Sequence, residues 1–275
     1  MIKNTLSFTA LVLLTNLAFP TAGKAAVING GFEDKFNGWE TIGETTIETD
    51  QFGSGPVAGK SQAFLSTAYQ ELLGFDAQGN EMIGGDAAIA SFVTGFENLE
   101  EFLSLPSSFL SENTLSSLAT GEIIEGSAIK QTFKAGAGQS LSFAWNFLTE
   151  EFTQAVDNSS FEDFNDFAFV SLQRQSDLNT VLLPLADTVN SSFQVANHSL
   201  FFGETGFQKF SYTFDQSDTY TLGIGVVDVG DGDLVSGLLI DRVDVDVPET
   251  TPVVGLVALG ALGSLSVLKR RWKNG

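Results

Sequence analysis

A pair of adjacent carboxylates, Glu150 and Glu151, follows an aromatic segment that contains Trp145. Glycoside hydrolysis needs two carboxyl groups, one that protonates the leaving group and one that acts as base or nucleophile. Adjacent residues of a β-strand, however, point to opposite faces of the sheet. The spacing does not place both groups on one glycosidic bond, so a glycoside hydrolase is the least favoured interpretation of the chain.

The residue types needed for other hydrolytic or zinc chemistry are scarce. The sequence has one histidine, His198, no cysteine and no Gly-x-Ser-x-Gly segment. Nucleophilic triads need a base beside the nucleophile, and zinc sites are built mainly from His and Cys. We therefore predict a protein that is not an enzyme and that has no catalytic residues.

Two acidic clusters offer the oxygen ligands that calcium prefers. One contains Asp228, Asp231 and Asp233, and the other spans residues 157–166. The first lacks the spacing and the distal Glu of an EF-hand loop. Each cluster is interpreted first as a solvated turn, with calcium binding as the alternative.

The overall charge narrows the choice of partners. The chain has 34 acidic and 13 basic residues and a net charge of −21. Such a surface repels nucleic acids and anionic lipid head groups, and it attracts divalent cations. We therefore expect no nucleic-acid partner.

Residues 26–246 mostly follow the pattern of half-buried strands. Large apolar residues alternate with small or polar ones, which is the period of a strand with one face in a core. The segments with this pattern are 131–133, 141–147, 167–172, 210–214, 220–226 and 238–245. Turns rich in Gly, Asp and Ser separate them. The pattern predicts a mainly β fold, an antiparallel β-sandwich of the jelly-roll type.

One stretch, residues 86–118, departs from this pattern. Apolar residues recur at intervals of three and four from Ile89 to Leu103, which predicts an amphipathic helix ended by Pro106. A second short helix is expected at 111–118. We interpret the stretch as a helical insertion that packs on the sandwich, with an irregular loop as the alternative.

Aromatic side chains on a sandwich surface would suit saccharides, because a ring face offers an apolar platform to a pyranose. The candidates are Trp39, Trp145, Tyr69 and Tyr212. Trp145 lies among other aromatics in a predicted strand and is interpreted as a core residue. Trp39 follows the first body segment, so it is kept as a candidate sugar contact beside the alternative of a core role.

The N-terminal residues 1–25 have the layout of a signal peptide. Lys3 precedes an apolar stretch, and small residues lead to a cleavage site after Ala25. The layout predicts an exported protein. The absence of cysteine means that its stability comes from the core or from a bound ion and not from disulfides.

The C-terminal residues predict a membrane helix. Residues 252–268 are uncharged and just long enough to span a bilayer. Lys269, Arg270 and Arg271 follow, and by the positive-inside tendency they remain cytoplasmic. The chain before the helix is then outside, anchored by the helix.

The residues before this helix carry a resemblance. Val247, Pro248 and Glu249, followed by the helix and the basic end, make residues 247–275 resemble the PEP-CTERM sorting signal. The resemblance implies cleavage by exosortase, a membrane cysteine protease-transpeptidase, and release to the cell surface or extracellular matrix. The family usually has a second proline where this chain has Thr250.

The first and last body segments carry a second resemblance. Residues 27–33 and 237–245 resemble the opening and closing strands of galactose-binding-like jelly rolls, which include many carbohydrate-binding modules. The resemblance implies a structural calcium site shared by Glu33, Asp241 and backbone carbonyls. Arg242 departs from the pattern, because the family has a second Asp or Asn there.

Two interpretations of function follow. The first is an exported, non-enzymatic surface or matrix protein associated with exopolysaccharide and supported by calcium. The alternative is a carbohydrate-binding module with a defined sugar site. The feature that separates them is an aromatic ring exposed on a concave face beside polar groups.

Overall fold

The computed structural model describes residues 27–68, 71–75, 81–84, 87–89, 98–110, 123–151, 164–230 and 234–246. Most of them form antiparallel strands, which confirms the predicted mainly β sandwich. The strands are β1 (Glu40–Ile42), β2 (Glu44–Glu48), β3 (Gln62–Ser66), β4 (Glu71–Phe75), β5 (Glu81–Gly84), β6 (Ala88–Ile89), β7 (Ile123–Ala135), β8 (Ser140–Thr149), β9 (Phe167–Arg174), β10 (Thr180–Asp187), β11 (Gln194–Val195), β12 (Gly203–Glu204), β13 (Gln208–Thr213), β14 (Asp218–Val229) and β15 (Ser236–Asp246).

Two sheets make the sandwich. The first sheet has the order β1-β7-β14-β9-β10, with β6 also paired to β7. The second sheet has the order β11-β12-β8-β15-β3-β2, with β13 also paired to β8. Strands β4 and β5 form a separate hairpin. All six segments that the alternation predicts lie on strands of the two main sheets, apart from Phe214, which follows β13.

The alternation along each strand sets which side chains enter the core. In β8, Leu141, Phe143 and Phe147 are buried in the main core, whereas Ser142 and Ala144 between them are only half-buried. This is the period-two pattern of a strand whose faces differ in environment. The small side chains of β8 therefore face outward, away from the first sheet.

The prediction of a helical insertion at 86–118 is wrong at its start, because residues 88 and 89 form a strand. Ala88 and Ile89 form β6 and pair with Gly126 and Glu125 of β7. The cause is long-range pairing: β14 covers one edge of β7, and β6 joins β1 on the other edge, where unpaired backbone groups need partners. Residues 90–97 and 111–118 lie outside the described part.

A short helix, α1 (Leu99–Phe102), does lie in this stretch. Asn98 caps it, its Oδ1 accepting the amide of Glu100 at 2.8 Å. The helix has 4 residues and ends before Pro106. Leu99 is fully buried in a second apolar cluster against the first sheet, so α1 packs on the sandwich as predicted.

The predicted terminal signals lie outside the described residues. This applies to the signal peptide, residues 1–25, and to the sorting tail, residues 247–275, with its helix at 252–268. In the part of the chain that is described, no helix has the length and apolar character needed to cross a membrane.

Candidate functional site

The opening segment does not form the strand that its resemblance implies. Residues 28–31 and 33–38 form successive turns, and Asn29, Phe32 and Lys35 have φ values of 52°, 56° and 52°. Positive φ values interrupt an extended ladder, so the first strand begins only at Glu40. The turns nevertheless bring Glu33 towards the loop of residues 57–61.

The side chains of Glu33 and Asp241 both contact this loop. The Oδ2 atom of Asp241 accepts a hydrogen bond from the amide of Ala58 at 2.8 Å. An Oε1 atom of Glu33 accepts the amides of Lys60 at 2.6 Å and Ser61 at 3.2 Å. The two predicted ligands thus fix neighbouring parts of one loop, although 208 positions separate them in the sequence.

Asp241 is a buried acid without a basic partner in these contacts. It is fully buried, and burial raises the pKa of its carboxyl group, an effect that the amides of Ala58, Arg242 and Val57 oppose. The amide of Arg242 donates to its second oxygen at 2.6 Å. A carboxylate has about four acceptor sites, so the group can accept these three amides and still contact a cation or water.

The two carboxylates at this loop are oxygen ligands of the kind that a hard cation binds. Calcium takes carboxylate and carbonyl oxygens, and Glu33 and Asp241 supply two carboxylates. Among the described residues, no group of three His, Cys, Asp or Glu side chains is arranged to hold a metal ion. Backbone carbonyls would therefore have to supply the remaining ligands, as the resemblance implies.

Trp39 lies in the core. Only 7% of it is exposed, its ring centroid is 5.4 Å from that of Phe32, and its indole N–H donates to the carbonyl of Asn29 at 3.3 Å. Trp145 is also buried in the main core. This burial favours the core alternative for Trp39 over a sugar contact, and Tyr69 lies outside the described residues.

A groove of about 680 Å³ runs over the outer face of the second sheet. Its floor is made by the small residues of β8, Ser142 and Ala144. Its walls come from β13 and β15 and from the loops around residues 27–31 and 57. The aromatic, amide and charged side chains that line the groove belong to Phe207, Gln208, Lys209, Arg242, Asp244 and Asp246.

Strand register sets the positions of the groove's side chains. Lys209 of β13 and Asp241 of β15 both pair with Ala144, one on each side of β8. A bulge between Asp241 and Asp244 then shifts β15, with Arg242 at φ 56°. Bulges re-aim side chains, and here Arg242 becomes exposed beside the groove.

Phe207 forms an apolar wall of the groove and is half-buried. Its ring packs on the backbone of Gly55, where an added Cβ would lie 2.7 Å from ring carbons. Gly55 also has φ 70°, so both space and conformation favour glycine. The segment around Gly55 thus packs on one side of the Phe207 ring, and another part of the ring faces the groove.

A buried carboxylate, Glu204, holds the loops behind Phe207. Only 1% of Glu204 is exposed. It accepts hydrogen bonds from Ser54 Oγ, from Asn146 Nδ2 at 3.1 Å, from Gln194 Nε2 at 3.1 Å and from Asn197 Nδ2 at 2.7 Å. These donors come from three separate segments, so Glu204 joins the loops at 53–57 and 194–207 to β8.

The sequence interpretation missed Phe207 and Glu204. Phe207 lies in the segment Gly206-Phe207-Gln208, whose glycine signals a turn but nothing about exposure. Glu150 and Glu151 lie elsewhere, at the end of β8, where Glu150 accepts the amide of Val235 at 3.2 Å. The carboxylate pair therefore does not contribute to the groove.

The sequence matches no protein-family profile and no curated protein. Solved structures with remote likeness include TmCBM61 in complex with β-1,4-galactotriose, at 9% identity and TM-score 0.40, covering 82% of this chain and 99% of that one. A family 22 carbohydrate-binding module of Clostridium thermocellum Xyn10B shows 10% identity and TM-score 0.32, covering 82% and 99%. The enzymatically active domain of bacteriophage CBA120 tailspike protein 4 shows 9% identity and TM-score 0.34, covering 80% of this chain and 21% of that one. Likeness this remote identifies no ligand, so function must be inferred from the residues of this chain.

Proposed function

We propose that this protein is an exported jelly-roll module that binds polysaccharide in the groove over the outer face of the second sheet, without catalysis. The observation that supports the proposal most is the half-buried ring of Phe207 beside Gln208 and Lys209, above the small side chains of β8. An aromatic face beside polar groups is what a pyranose ring with hydroxyl edges requires.

The shape of the groove supports an extended ligand. Ser142 and Ala144 leave room above the floor, while Phe207 and the exposed Val57 provide apolar contacts. The side chains of Asp244 and Arg242 add hydrogen-bond acceptors and donors. Such a site suits a chain of sugars that lies across the sheet.

The carboxylates of the groove argue for binding and against hydrolysis. Asp244 and Asp246 are two positions apart on β15, so both lie on the same wall. Glycosidase carboxyl groups flank the bond that they cleave from two sides. The arrangement supports a non-enzymatic role.

The experiment that tests this function is binding of the purified protein to a polysaccharide panel by affinity electrophoresis, with cellulose, xylan, galactan and polygalacturonate in separate gels. The proposal expects one class of polymer to retard the protein in a saturable way. The same migration in every gel would reject a saccharide site and leave a matrix protein whose partners are other proteins.

The terminal signals complete the proposal. The signal peptide directs export, and the 247–275 tail directs membrane anchoring and exosortase processing, with the cell surface or matrix as destination. Both described ends of the body, Val27 and Asp246, line the groove. The described chain therefore begins and ends next to the proposed binding site.

Calcium is the proposed structural ion at Glu33 and Asp241. We expect calcium to raise the thermal midpoint by about 5 to 10 °C at a concentration 100-fold above its Kd, because it binds only the folded chain. Differential scanning calorimetry in calcium and in chelator measures this shift. Asp241→Asn should abolish it.

Asp187→Asn is the matched control for the calcium prediction. Asp187 is also buried and accepts backbone amides, from Val189 at 3.0 Å and Asn190 at 2.6 Å, but it lies at the end of β10. Its variant should keep the calcium shift. Equal midpoints in calcium and chelator for the unmodified protein would show that no structural calcium is bound.

A further inference from the structure

Basic side chains are scarce in the body of the chain, and two of them line the groove. Residues 27–246 contain seven basic residues in a chain of net charge −21. Lys130 and Arg174 have acidic partners. Lys209 and Arg242 line the groove, and neither forms an ion pair with any described residue.

The two cations lie on opposite sides of the groove floor. Lys209 pairs with Ala144 from β13, and Asp241, the neighbour of Arg242, pairs with Ala144 from β15. Neighbouring strands are about 4.8 Å apart, so the backbones of Lys209 and Arg242 are separated by about 10 Å across β8. Both side chains are exposed to solvent. A ligand lying on the floor would therefore have one cation at each side.

The backbone of Arg242 is held in an unusual conformation. A residue other than glycine rarely adopts φ near its value of 56°, and such conformations persist only where surrounding contacts enforce them. Here the buried carboxylate of Asp241 accepts the amides of both Arg242 and Ala58. The bulge therefore gives the guanidinium a fixed point of attachment beside the groove.

We infer that the groove prefers polysaccharides that bear carboxylates, that is, polymers containing uronic acids. This inference rests on the proposed saccharide site and specifies its ligand class. Arg242 presents a planar fork that matches a carboxylate in a bidentate way, and Lys209 adds a point charge on the other side. Asp244 and Asp246 accept hydrogen bonds from sugar hydroxyl groups on the same wall as Arg242.

The test compares two polymers with the same backbone, one with a carboxylate on each sugar and one with a neutral hydroxymethyl group in its place. The probes are polygalacturonate and the same polymer after reduction of its carboxyl groups, and isothermal titration calorimetry gives the affinity of the purified protein for each. We expect polygalacturonate to bind at least tenfold more tightly at low salt, and the difference to shrink as salt increases. Lys209→Gln and Arg242→Gln should each lower the affinity for polygalacturonate by about tenfold, with little change for the reduced polymer.

Lys134→Gln is the control, because it removes the same charge from an exposed position on β7 in the other sheet. It should leave both affinities unchanged. If calcium bridged the polymer to the acidic surface, the protein would prefer the charged polymer, and neither Lys209→Gln nor Arg242→Gln would change that preference. That result overturns the inference. Equal binding of the two polymers also overturns it but leaves the saccharide site intact. Binding to neither probe, nor to any polymer of the panel, rejects the site itself.

Discussion

Replacing Glu204 with alanine is expected to lower the free energy of unfolding by about 3 kcal/mol, because four donors lose their acceptor and two of them, Ser54 and Asn146, are buried. The Glu204 carboxylate is 1% exposed and receives hydrogen bonds from Ser54, Asn146, Gln194 and Asn197. Hydrogen bonds to a charged group are worth more than neutral ones, and orphaned donors keep their desolvation cost. Urea unfolding followed by tryptophan fluorescence measures the change, since Trp39 and Trp145 both lie in the core.

Two further variants sharpen this prediction. Glu204→Gln keeps the shape but presents an amide N–H₂ to donors that need an acceptor, so we expect an intermediate loss. Glu101→Ala removes a carboxylate from an exposed position on α1 and should change stability by no more than about 0.5 kcal/mol. Unfolding curves for Glu204→Ala and Glu101→Ala that coincide would show that the buried network contributes little.

Replacing Phe207 with alanine is expected to reduce polysaccharide affinity by at least about tenfold. Its ring is the apolar platform of the proposed site, and truncation leaves a gap between Gly55 and the groove. Aromatic residues commonly contribute the largest share of binding energy at such sites. Isothermal titration with the polymer that binds most tightly in the panel gives the change in affinity.

The matched control is Phe202→Ala, because Phe202 is 56% exposed and does not line the groove. Phe207→Tyr, which keeps a ring in place, should retain most of the affinity. Circular dichroism of each variant checks that the sandwich is intact. Wild-type affinity in Phe207→Ala would remove the ring from the site and refute the geometry proposed for it.

The strands could be predicted from the sequence because their signal is local. In β8 the alternation of Leu141, Ser142, Phe143 and Ala144 appears directly in the residue order, and the structure buries the large residues of that series. The β6 pairing could not be predicted in this way. Ile89 fits a helical spacing as well as a strand, and only the free edge of β7 decides between them.

The candidate site was harder to predict because it is assembled from distant segments. Phe207, Ala144 and Arg242 come from the end of a loop, the middle of β8 and a bulge in β15. The type of a residue does not determine whether its side chain is exposed. Trp39, the more obvious aromatic candidate, is buried, whereas Phe207 borders the groove. The prediction of Glu33 and Asp241 as calcium ligands rests on a resemblance. Both side chains contact the loop of residues 57–61, and calcium binding stays a prediction.

Hydrogen exchange measured by mass spectrometry, with and without saturating polysaccharide, tests most directly whether the groove is the binding site. Galactan and polygalacturonate would each be added to the purified protein. We predict slower exchange in peptides covering residues 206–211 and 241–246, which border the groove, and no change in residues 180–187 of β10 at the far edge of the first sheet. Protection of β10 with an unchanged groove, or no protection anywhere with either polymer, would contradict the proposed function.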